Sequence, residues 1–353
     1  MSGAAPLIGI PRFTLTSGNS QLSDALLADI SSIEISEDLN TPAMLSFSVN
    51  LWDGMQQQLK EDYLEKFALG TPLELALGIN EETPVFAGEV TALEPEFGDV
   101  DGEERLNVRA YSRLHRLQFG NRQRTFQKKS SSDIATEIAE ELGLSATVDT
   151  SNDKHPHITQ NETDLAFLLR LAEPLNYEVV VDDTALYFRK PNTQEGSVIT
   201  LTYRFELTQF SPRQRTVPEG AKVEVRGWDV KNKKLIVGSA GAGDETSKMG
   251  GAQSGAEISA AAFTSTTRTI TAQALNDVDE ATQIAKAWYN RQQSNFIEAH
   301  GESLGSPVIR AGKTIEILGV GKVFSGTYYV ESVKHTIGPD GYKTQFEVTR
   351  NSV

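Results

Sequence analysis

The sequence predicts an α+β fold that is mostly β, with two repeated barrel-like β-domains and a small inserted α+β domain. Strand patterns dominate both ends of the chain, helical spacing occurs in the middle, and one β-pattern occurs twice. The chain has 353 residues, enough for two to three domains with cores of their own. The predicted ranges are 1–118 for the first β-barrel domain, 119–195 for the inserted α+β domain, 196–237 for a strand-rich connecting domain, 238–265 for a flexible loop and 266–353 for the second β-barrel domain.

The repeated β-pattern lies near the two ends of the chain. Each copy has a glycine followed by a short strand, then a Val-Phe-small-Gly segment, then a further strand. The segments of the first copy are Gly70–Leu75, Val85–Gly88 and Arg105–Tyr111, and those of the second are Gly312–Ile317, Val323–Gly326 and Lys343–Thr349. Two copies of one β-module predict a ring-forming protein, because equivalent interfaces can close a ring.

The first domain is predicted to consist mainly of strands. Alternating apolar and polar residues predict the strands Ile33–Ile35, Leu45–Val49, Leu73–Leu77, Val85–Leu93 and Arg105–Tyr111. Leu59, Tyr63 and Phe67 recur every four residues, which predicts a short amphipathic helix over 55–67 that ends at Gly70. Asp99–Gly102 is typical of a tight turn and has too few ligands for calcium.

The inserted domain combines two helices with a hairpin. Ser131–Asp133 precedes a helical pattern that ends at Gly143, and Thr163-Asp164 opens a second helix that ends before Pro174. On this second helix Arg170 and Glu173 are three residues apart, so we predict that they form an ion pair. The strands Tyr177–Val181 and Leu186–Phe188 are predicted to form a hairpin.

The segments after residue 196 are predicted from the same strand, loop and helix patterns. Strands are predicted at Ile199–Leu201, Arg204–Phe210, Lys222–Trp228 and Lys234–Val237. Gly238–Phe263 is rich in Gly, Ala and Ser, which predicts a flexible loop because this composition buries little apolar surface. Asn276-Asp277 is predicted to cap a helix over Val278–Phe296.

Composition and charge exclude several classes of protein. The net charge is −15, whereas nucleic-acid binding needs a basic surface, so we expect none. The basic cluster Arg113–Lys129 is interpreted as a solvated or interface segment. The absence of cysteine excludes disulfides and thiolate sites. We expect no membrane insertion and no signal peptide, because no apolar run is long enough and the N-terminus lacks the required pattern.

Candidate catalytic and binding motifs are incomplete. Ala311–Thr314 resembles the end of a phosphate-binding loop, but Pro307 stands where the motif needs glycine. Gly319-Val-Gly321 lacks the third glycine of a dinucleotide site, and His155 with His157 are too few ligands for zinc. We therefore predict no enzyme and no catalytic, cofactor-binding or metal residues.

Several segments resemble one family, the baseplate hub proteins of contractile tails and injection systems. This family includes phage late control D proteins and the N-terminal hub part of VgrG spike proteins. The segments that carry the resemblance occur in the family's order and cover nearly the whole chain, namely Tyr63–Pro72, Gln160–Glu173, Val223–Asp229, and Gly326–Val330 with His335 and Gly341–Thr344.

The resemblance implies a homotrimer in which two β-domains per chain form a pseudo-sixfold ring that joins the inner tube to a spike. The expected partners are the spike protein, the inner tube protein and other baseplate proteins. Since this chain ends at Val353, about where the hub ends, we expect a separate chain to carry the spike. The resemblance implies assembly in the cytoplasm and then a place in a virion or phage tail-like particle.

The residues that the hub interpretation depends on are core positions of the two modules. They are predicted to be Leu73, Leu75, Phe86, Val90 and Val108, with the counterparts Ile315, Ile317, Phe324, Tyr328 and Phe346. Two alternatives stay open, a pair of carbohydrate-binding modules and a cell-wall-degrading tail component. The first predicts exposed aromatic residues on both repeats, and the second needs a carboxylate with a perturbed pKa in a cleft.

Overall fold

The computed structural model describes residues 11–79, 81–98, 103–153, 155–217, 221–229, 232–264, 266–271, 275 and 277–353. The fold is α+β and mostly β, as the sequence predicts. The predicted turn at Asp99–Gly102 and the predicted cap residue Asn276 lie outside the described residues.

The strands and helices are numbered in chain order. The strands before the inserted domain are β1 Arg12–Ser17, β2 Ser20–Gln21, β3 Ile30–Asp38, β4 Met44–Asn50, β5 Trp52–Asp53, β6 Gln58–Leu59, β7 Pro72–Gly78, β8 Glu82–Glu96 and β9 Arg105–Tyr111. Two short helices lie among them, α1 Asp24–Ala28 and α2 Asp62–Lys66.

The inserted domain contains the strands β10 Arg122–Lys129, β11 Ser145–Val148, β12 His155–Glu162, β13 Glu178–Asp182 and β14 Ala185–Arg189. Its helices are α3 Ser131–Glu141 and α4 Asp164–Ala172. The strands of the last part are β15 Thr200–Thr202, β16 Leu207–Gln214, β17 Lys222–Asp229, β18 Lys234–Gly241, β19 Thr267–Thr271, β20 Ile297–Leu304, β21 Thr314–Leu318, β22 Gly326–Gly338 and β23 Gly341–Arg350. Its helices are α5 Gly255–Ala262 and α6 Val278–Ser294.

One large sheet joins the two ends of the chain. Among the described residues it contains thirteen strands, in the order β16-β20-β23-β22-β3-β4-β9-β8-β7-β1-β2, with β21 paired to β22 and β15 to β21. One apolar core lies under the strands of the first half, and a second core lies under those of the last half. The inserted domain and the β17–β18–β19 sheet with α6 have separate cores.

Helix α3 shows how the local sequence sets an element. Ser130 accepts the main-chain N–H of Asp133, and the Asp133 carboxylate accepts the N–H of Ser130, so both N-terminal donors are satisfied. Ile134 and Ile138 lie one turn apart on the buried face. Gly143 adopts a positive φ of 68° where the helix ends. The sequence predicted the apolar spacing and the end at Gly143, but it placed the cap at Ser131–Asp133, whereas the capping residue is Ser130.

The predicted helix over 55–67 is wrong for its first half. That segment forms the β5–β6 hairpin, and only Asp62–Lys66 is helical. The Asp53 carboxylate accepts the N–H groups of Met55 and Gln56, which fixes a turn at the position where the helix was predicted to begin.

The predicted flexible loop at Gly238–Phe263 is also wrong in part, because β18 runs to Gly241 and Gly255–Ala262 is helix α5. Ser254 and Glu257 form a capping box that starts this helix. Alanine is the best helix former, so a composition that buries little surface can still be helical.

The connecting range 196–237 does not form one unit. Its first strands join the large sheet, where β15 pairs with β21 and β16 pairs with β20. Its last strands, β17 and β18, form a separate sheet with β19. The predicted strand Arg204–Phe210 begins only at Leu207, and the predicted helix Val278–Phe296 ends at Ser294.

Candidate assembly interface

The two β-modules have the same strand connectivity. In the first, β3, β4, β9, β8 and β7 are neighbours in that order, and in the second β16, β20, β23, β22 and β21 are. A strand also pairs with the last member of each set, β1 antiparallel to β7 and β15 parallel to β21. The repeat in the sequence therefore corresponds to a repeat in the fold.

The β-bulges of the two modules occur at equivalent places. Thr91 is the extra residue of β8 opposite β9, and Glu331 is the extra residue of β22 opposite β23. Ser31 of β3 and Thr208 of β16 form a second such pair, opposite β4 and β20. Since a bulge bends its strand and fixes its register, the bulges give a residue-by-residue correspondence between the modules.

The modules are joined to each other within the chain by β22 and β3. These strands pair antiparallel, with Lys334 opposite Ser36 and Ile337 opposite Ile33. On the polar face, the Lys334 ammonium lies 2.8 Å from the Glu34 carboxylate. On the other face, Ile33 is buried in the first core and Ile337 packs against it. The junction is thus a continuous β-ladder with one buried and one exposed, polar side.

A buried ion pair fixes the loop before β21 against this junction. The Arg310 guanidinium donates to the Glu37 carboxylate at 2.5 Å, and the Ala311 N–H donates to its other oxygen at 3.3 Å. Burial raises the pKa of Glu37, and the charge of Arg310 opposes that shift. Breaking this pair would leave a carboxylate inside the junction without its cation.

His335 of β22 is buried beside the same loop and stays neutral. Burial lowers the pKa of His335 to about 3, and the nearby Arg310 cation acts in the same direction. Its Nε2 lies 3.1 Å from the carbonyl of Ile309, and its Nδ1 lies 3.1 Å from the Thr344 hydroxyl and 3.0 Å from the Tyr342 hydroxyl. A neutral ring that donates from Nε2 and accepts at Nδ1 satisfies all three contacts.

The inserted domain is anchored to the second module by a buried polar contact. The Tyr329 hydroxyl of β22 donates to the Glu178 carboxylate of β13, and Arg189 of β14 lies 3.7 Å from that carboxylate. The pKa of Glu178 is raised, because the effect of burial exceeds the opposing effects of the Tyr329 hydrogen bond and the Arg189 charge. A cleft of about 1460 Å³ lies beside this contact, between the inserted domain and α6.

The predicted Arg170–Glu173 ion pair is wrong. Arg170 donates to the Glu162 carboxylate at 2.8 Å, while the Glu173 carboxylate accepts from Arg291 of α6 at 3.1 Å. Arg291 also donates to the main-chain oxygen of Glu173 at 2.8 Å. Each side chain therefore has a partner outside α4, and Glu173 links the inserted domain to α6.

The basic cluster Arg113–Lys129 is largely paired within the chain. Arg122 and Arg124 both contact the buried Asp164 carboxylate, at 2.9 and 2.7 Å. Arg116 pairs with Glu89, and Lys129 pairs with Glu137. Asp164, which lies in the segment Gln160–Glu173, thus holds two arginines of β10 against the inserted domain's second helix.

His155 and His157 do not gather metal ligands. His155 lies 2.8 Å from the Asp153 carboxylate and 3.1 Å from the Ser131 hydroxyl. Burial opposes ionisation of Asp153, but hydrogen bonds led by that of His155 lower the pKa of Asp153 to about 2. Both polar partners meet the same ring nitrogen, unlike a catalytic triad, where they lie on opposite nitrogens. No group of three or more His, Asp or Glu within the described residues could hold a metal ion.

The predicted core positions are buried with one exception. The buried residues are Leu73, Leu75, Phe86, Val90, Val108, Ile315, Ile317, Tyr328 and Phe346. Phe324 is only partly buried and lies in the turn before β22, so its predicted place among the core positions is wrong. Leu75 is paired with Phe86 and the equivalent Ile317 with Gly326, so Gly326 is the structural counterpart of Phe86.

Two strand edges at opposite ends of this arrangement lack a strand partner among the described residues. In that part of the chain, β8 beyond Thr91 pairs only with β9, and β16 pairs in an antiparallel ladder only with β20. These edges carry the exposed side chains of Glu94, Phe97 and Arg213. They correspond to the edges of β22 and β3 that meet inside the chain, so they are the candidate assembly surfaces.

The fold and these edges define a protein with two tandem β-modules in one sheet. The Alg8 N-terminal domain family model matches residues 9–339, and the chain belongs to this family. No curated protein sequence matches the chain. In addition, none of the described helices is long and apolar enough to cross a membrane.

Solved structures share the fold at low sequence identity. The 43 kDa tail protein of prophage MuSo2 from Shewanella oneidensis has 13% identity and a TM-score of 0.69, with 96% of this chain and 98% of that chain covered. The tail protein from Neisseria meningitidis MC58 has 10% identity and a TM-score of 0.69, with 96% of each chain covered. The E. coli c3393 protein, described as a component of the type VI secretion system, has 14% identity and a TM-score of 0.60, with 96% and 77% covered.

Proposed function

We propose that the chain is the baseplate hub of a phage tail or contractile injection system. Three copies form a ring of six β-modules that joins the inner tube to a spike carried on another chain. The ring assembles in the cytoplasm and then becomes part of the particle. Support comes from the shared fold, since the similar structures are described as tail proteins and as a secretion-system component similar to tail proteins.

The pairing of β22 with β3 is the observation that carries the proposal. It joins the second module to the first edge to edge, and it leaves the equivalent edges of β16 and β8 without a strand partner in the described part of the chain. Repeating the same contact between copies adds module after module in one direction. Such a head-to-tail contact gives a closed ring when its rotation returns to the start, and closure would cover these edges of β16 and β8 in every copy.

The polar face of the joined sheet suits the inside of a ring. Across the junction, most side chains on this face are small, polar or charged, and both signs of charge occur; Met44, opposite Ser36, is an exception. Examples from adjacent strands are Arg213, His300, Gln345, Lys334, Ser36, Ser46, Asn107 and Glu94. A surface of mixed charge with few large apolar residues would let a tube continue through the ring without binding its contents tightly.

A structural role agrees better with the two repeats than the carbohydrate-binding alternative does. That alternative needs exposed aromatic side chains at equivalent places of both modules. Phe86 of the first module is buried instead, and its counterpart in the second module is Gly326. The contact of Glu37 with Arg310 holds the loop before β21 against the junction of the two modules.

Electron microscopy of the purified chain tests the proposal. We expect class averages to contain a ring with six lobes around a central opening, because each of three copies contributes two similar modules. Purified inner tube protein, added afterwards, should stack on one face of that ring. Particles the size of one chain at every concentration, with or without the tube protein, would rule the hub out.

A further inference from the structure

The free edges of β8 and β16 are equivalent to edges that already pair within the chain. The part of β8 after the Thr91 bulge corresponds to the part of β22 after Glu331. The part of β16 after the Thr208 bulge corresponds to the part of β3 after Ser31. Because β22 and β3 form an antiparallel ladder, the contact between β8 and β16 of two copies has a defined model.

The register of this model follows by counting from the bulges. Lys334 and Ile337 are the third and sixth residues after Glu331, as Glu94 and Phe97 are after Thr91. Ile33 and Ser36 are the second and fifth residues after Ser31, as Phe210 and Arg213 are after Thr208. In the chain, Lys334 lies opposite Ser36 and Ile337 opposite Ile33.

We propose that β8 of one copy pairs antiparallel with β16 of the next copy, with Glu94 opposite Arg213 and Phe97 opposite Phe210. The partner of both edges is thus a second copy of this chain. The proposal rests on the proposed ring and adds the strands, their direction and the register to it.

The side chains brought together are chemically complementary. Glu94 and Arg213 place opposite charges across the ladder, as Lys334 and Glu34 do in the chain at 2.8 Å. Arg213 is exposed and has no carboxylate within ion-pair distance among the described residues, and it would lie opposite Glu94 and diagonal to Glu96 of the next copy. Glu94 has only an exposed partner, Arg109 at 3.4 Å, within the described part of the chain.

The other face carries apolar side chains both in the β22–β3 ladder within the chain and in the proposed β8–β16 ladder between copies. Ile33 and Ile337 pack in the core of the first module. At the equivalent places, Phe210 packs against the second core, while Phe97 is 64% exposed. Contact between the two phenyl rings would remove Phe97 from water, and aromatic pairs favour such cross-strand positions.

The main chain permits bonding in this register. Arg215 donates its N–H to Phe296, so the alternate residues Phe210, Pro212 and Gln214 direct their main-chain groups away from β20, to the free edge. On β8 and at the residue that follows it, the residues that alternate in this way are Leu93, Pro95 and Phe97.

Main-chain bonds therefore form at the pairs Leu93–Gln214 and Phe97–Phe210 in the proposed ladder. Pro95 lies opposite Pro212, and no N–H is present there. Prolines at the two edges also make them poor templates for pairing with unrelated strands.

Cysteine cross-linking tests the register, because the chain has no cysteine of its own. Glu94 and Arg213 form a pair without main-chain bonds, where Cα atoms lie about 4.5 Å apart and a disulfide can close. The Glu94→Cys/Arg213→Cys variant should therefore give covalent two-chain and three-chain species on mild oxidation. Glu94→Cys/Gln209→Cys, shifted along the same face of β16, should give little cross-linking.

An internal control shows that the oxidation works. Ser36→Cys/Lys334→Cys occupies the equivalent pair inside the chain, so its disulfide should form without any increase in mass. If the native mass is that of three chains but Glu94→Cys/Arg213→Cys does not cross-link, or does so no faster than the shifted variant, the register is wrong and the ring proposal stands. If the chain stays a monomer up to its solubility limit, both fail.

A charge exchange gives an independent readout. Arg213→Glu should remove the assembled species at a concentration where the unaltered chain is half assembled, since the introduced carboxylate would face those of Glu94 and Glu96 in the next copy. Adding Glu94→Arg to that variant should restore assembly in part. If Arg213→Glu assembles as well as the unaltered chain, the proposed pairing is overturned.

Discussion

Thr91 and Glu331 are the extra residues of equivalent β-bulges, one in each β-module. The strands on both sides of each bulge keep the same partners, so Val90 opposite Ala110 matches Val330 opposite Val348. A bulge costs a regular ladder contact and bends the strand. Its presence at the same place in both modules marks a shared architecture that sequence identity alone would not reveal.

Removing one member of the buried ion pair at the junction should destabilise the fold. Arg310→Ala leaves the Glu37 carboxylate buried without its cation, which costs about 3–5 kcal/mol. Urea unfolding measures the loss. The Glu37→Leu/Arg310→Leu variant should recover much of it, because no buried charge remains.

Lys334→Ala is the matched control for that experiment. Its ion pair with Glu34 crosses the same junction, but both side chains are more than one-third exposed. Loss of such a pair costs about 0–1 kcal/mol. Equal losses for Arg310→Ala and Lys334→Ala would contradict the account of the junction.

The buried His335 should make the fold less stable in mild acid. Its pKa is about 3 in the folded chain against 6.5 for a free histidine, so only the unfolded state binds a proton between these values. Stability is therefore full above pH 6.5 and is lost as the pH falls toward 3. From pH 7.5 to 5 this histidine alone accounts for about 2 kcal/mol.

Urea unfolding at the two pH values, on the chain and on His335→Gln, measures this effect. The variant is expected to be less stable at pH 7.5, where it loses the contacts to Ile309 and Thr344, but its stability should depend less on pH. His300→Gln, an exposed site, should leave the dependence unchanged. A His335→Gln variant with an unaltered pH dependence would refute the assignment.

The two phenylalanines predicted for the second core should contribute differently to the free energy of unfolding. Phe346 is buried and lies against Gly301 of β20, where a Cβ would come within 2.3 Å of its ring. Phe346→Ala should cost about 3–5 kcal/mol, as for other buried phenylalanines. Phe324→Ala should cost clearly less, because Phe324 is half-buried in a turn. Chemical denaturation of both variants decides the order, and a larger loss at Phe324 would contradict the structure.

The sequence predicted the strands of both modules because alternation reports which face of a strand is buried. It could not predict how the modules join, since the pairing of β22 with β3 connects residues about 300 positions apart in the chain. The matched Val-Phe-small-Gly segments also misaligned the modules, because the turn before β22 shifts Gly326 into the place of Phe86.

Two errors in the interpretation of the sequence have local causes. Helix α5 was missed because Gly and Ala dominate its segment, although the Ser254 and Glu257 spacing is a capping signal. Arg170 and Glu173 were paired because they share a helix face, whereas the structure gives each a partner on another element. Spacing on one helix cannot show which neighbouring elements offer a stronger partner.

The native mass of the purified chain tests the central claim most directly. The account predicts a species of three times 38.6 kDa, from the two complementary strand edges of each copy. That species should be lost on charge reversal at Arg213 and not on Phe324→Ala. A mass of 38.6 kDa at every concentration, alone and with the tube and spike proteins, would contradict the ring.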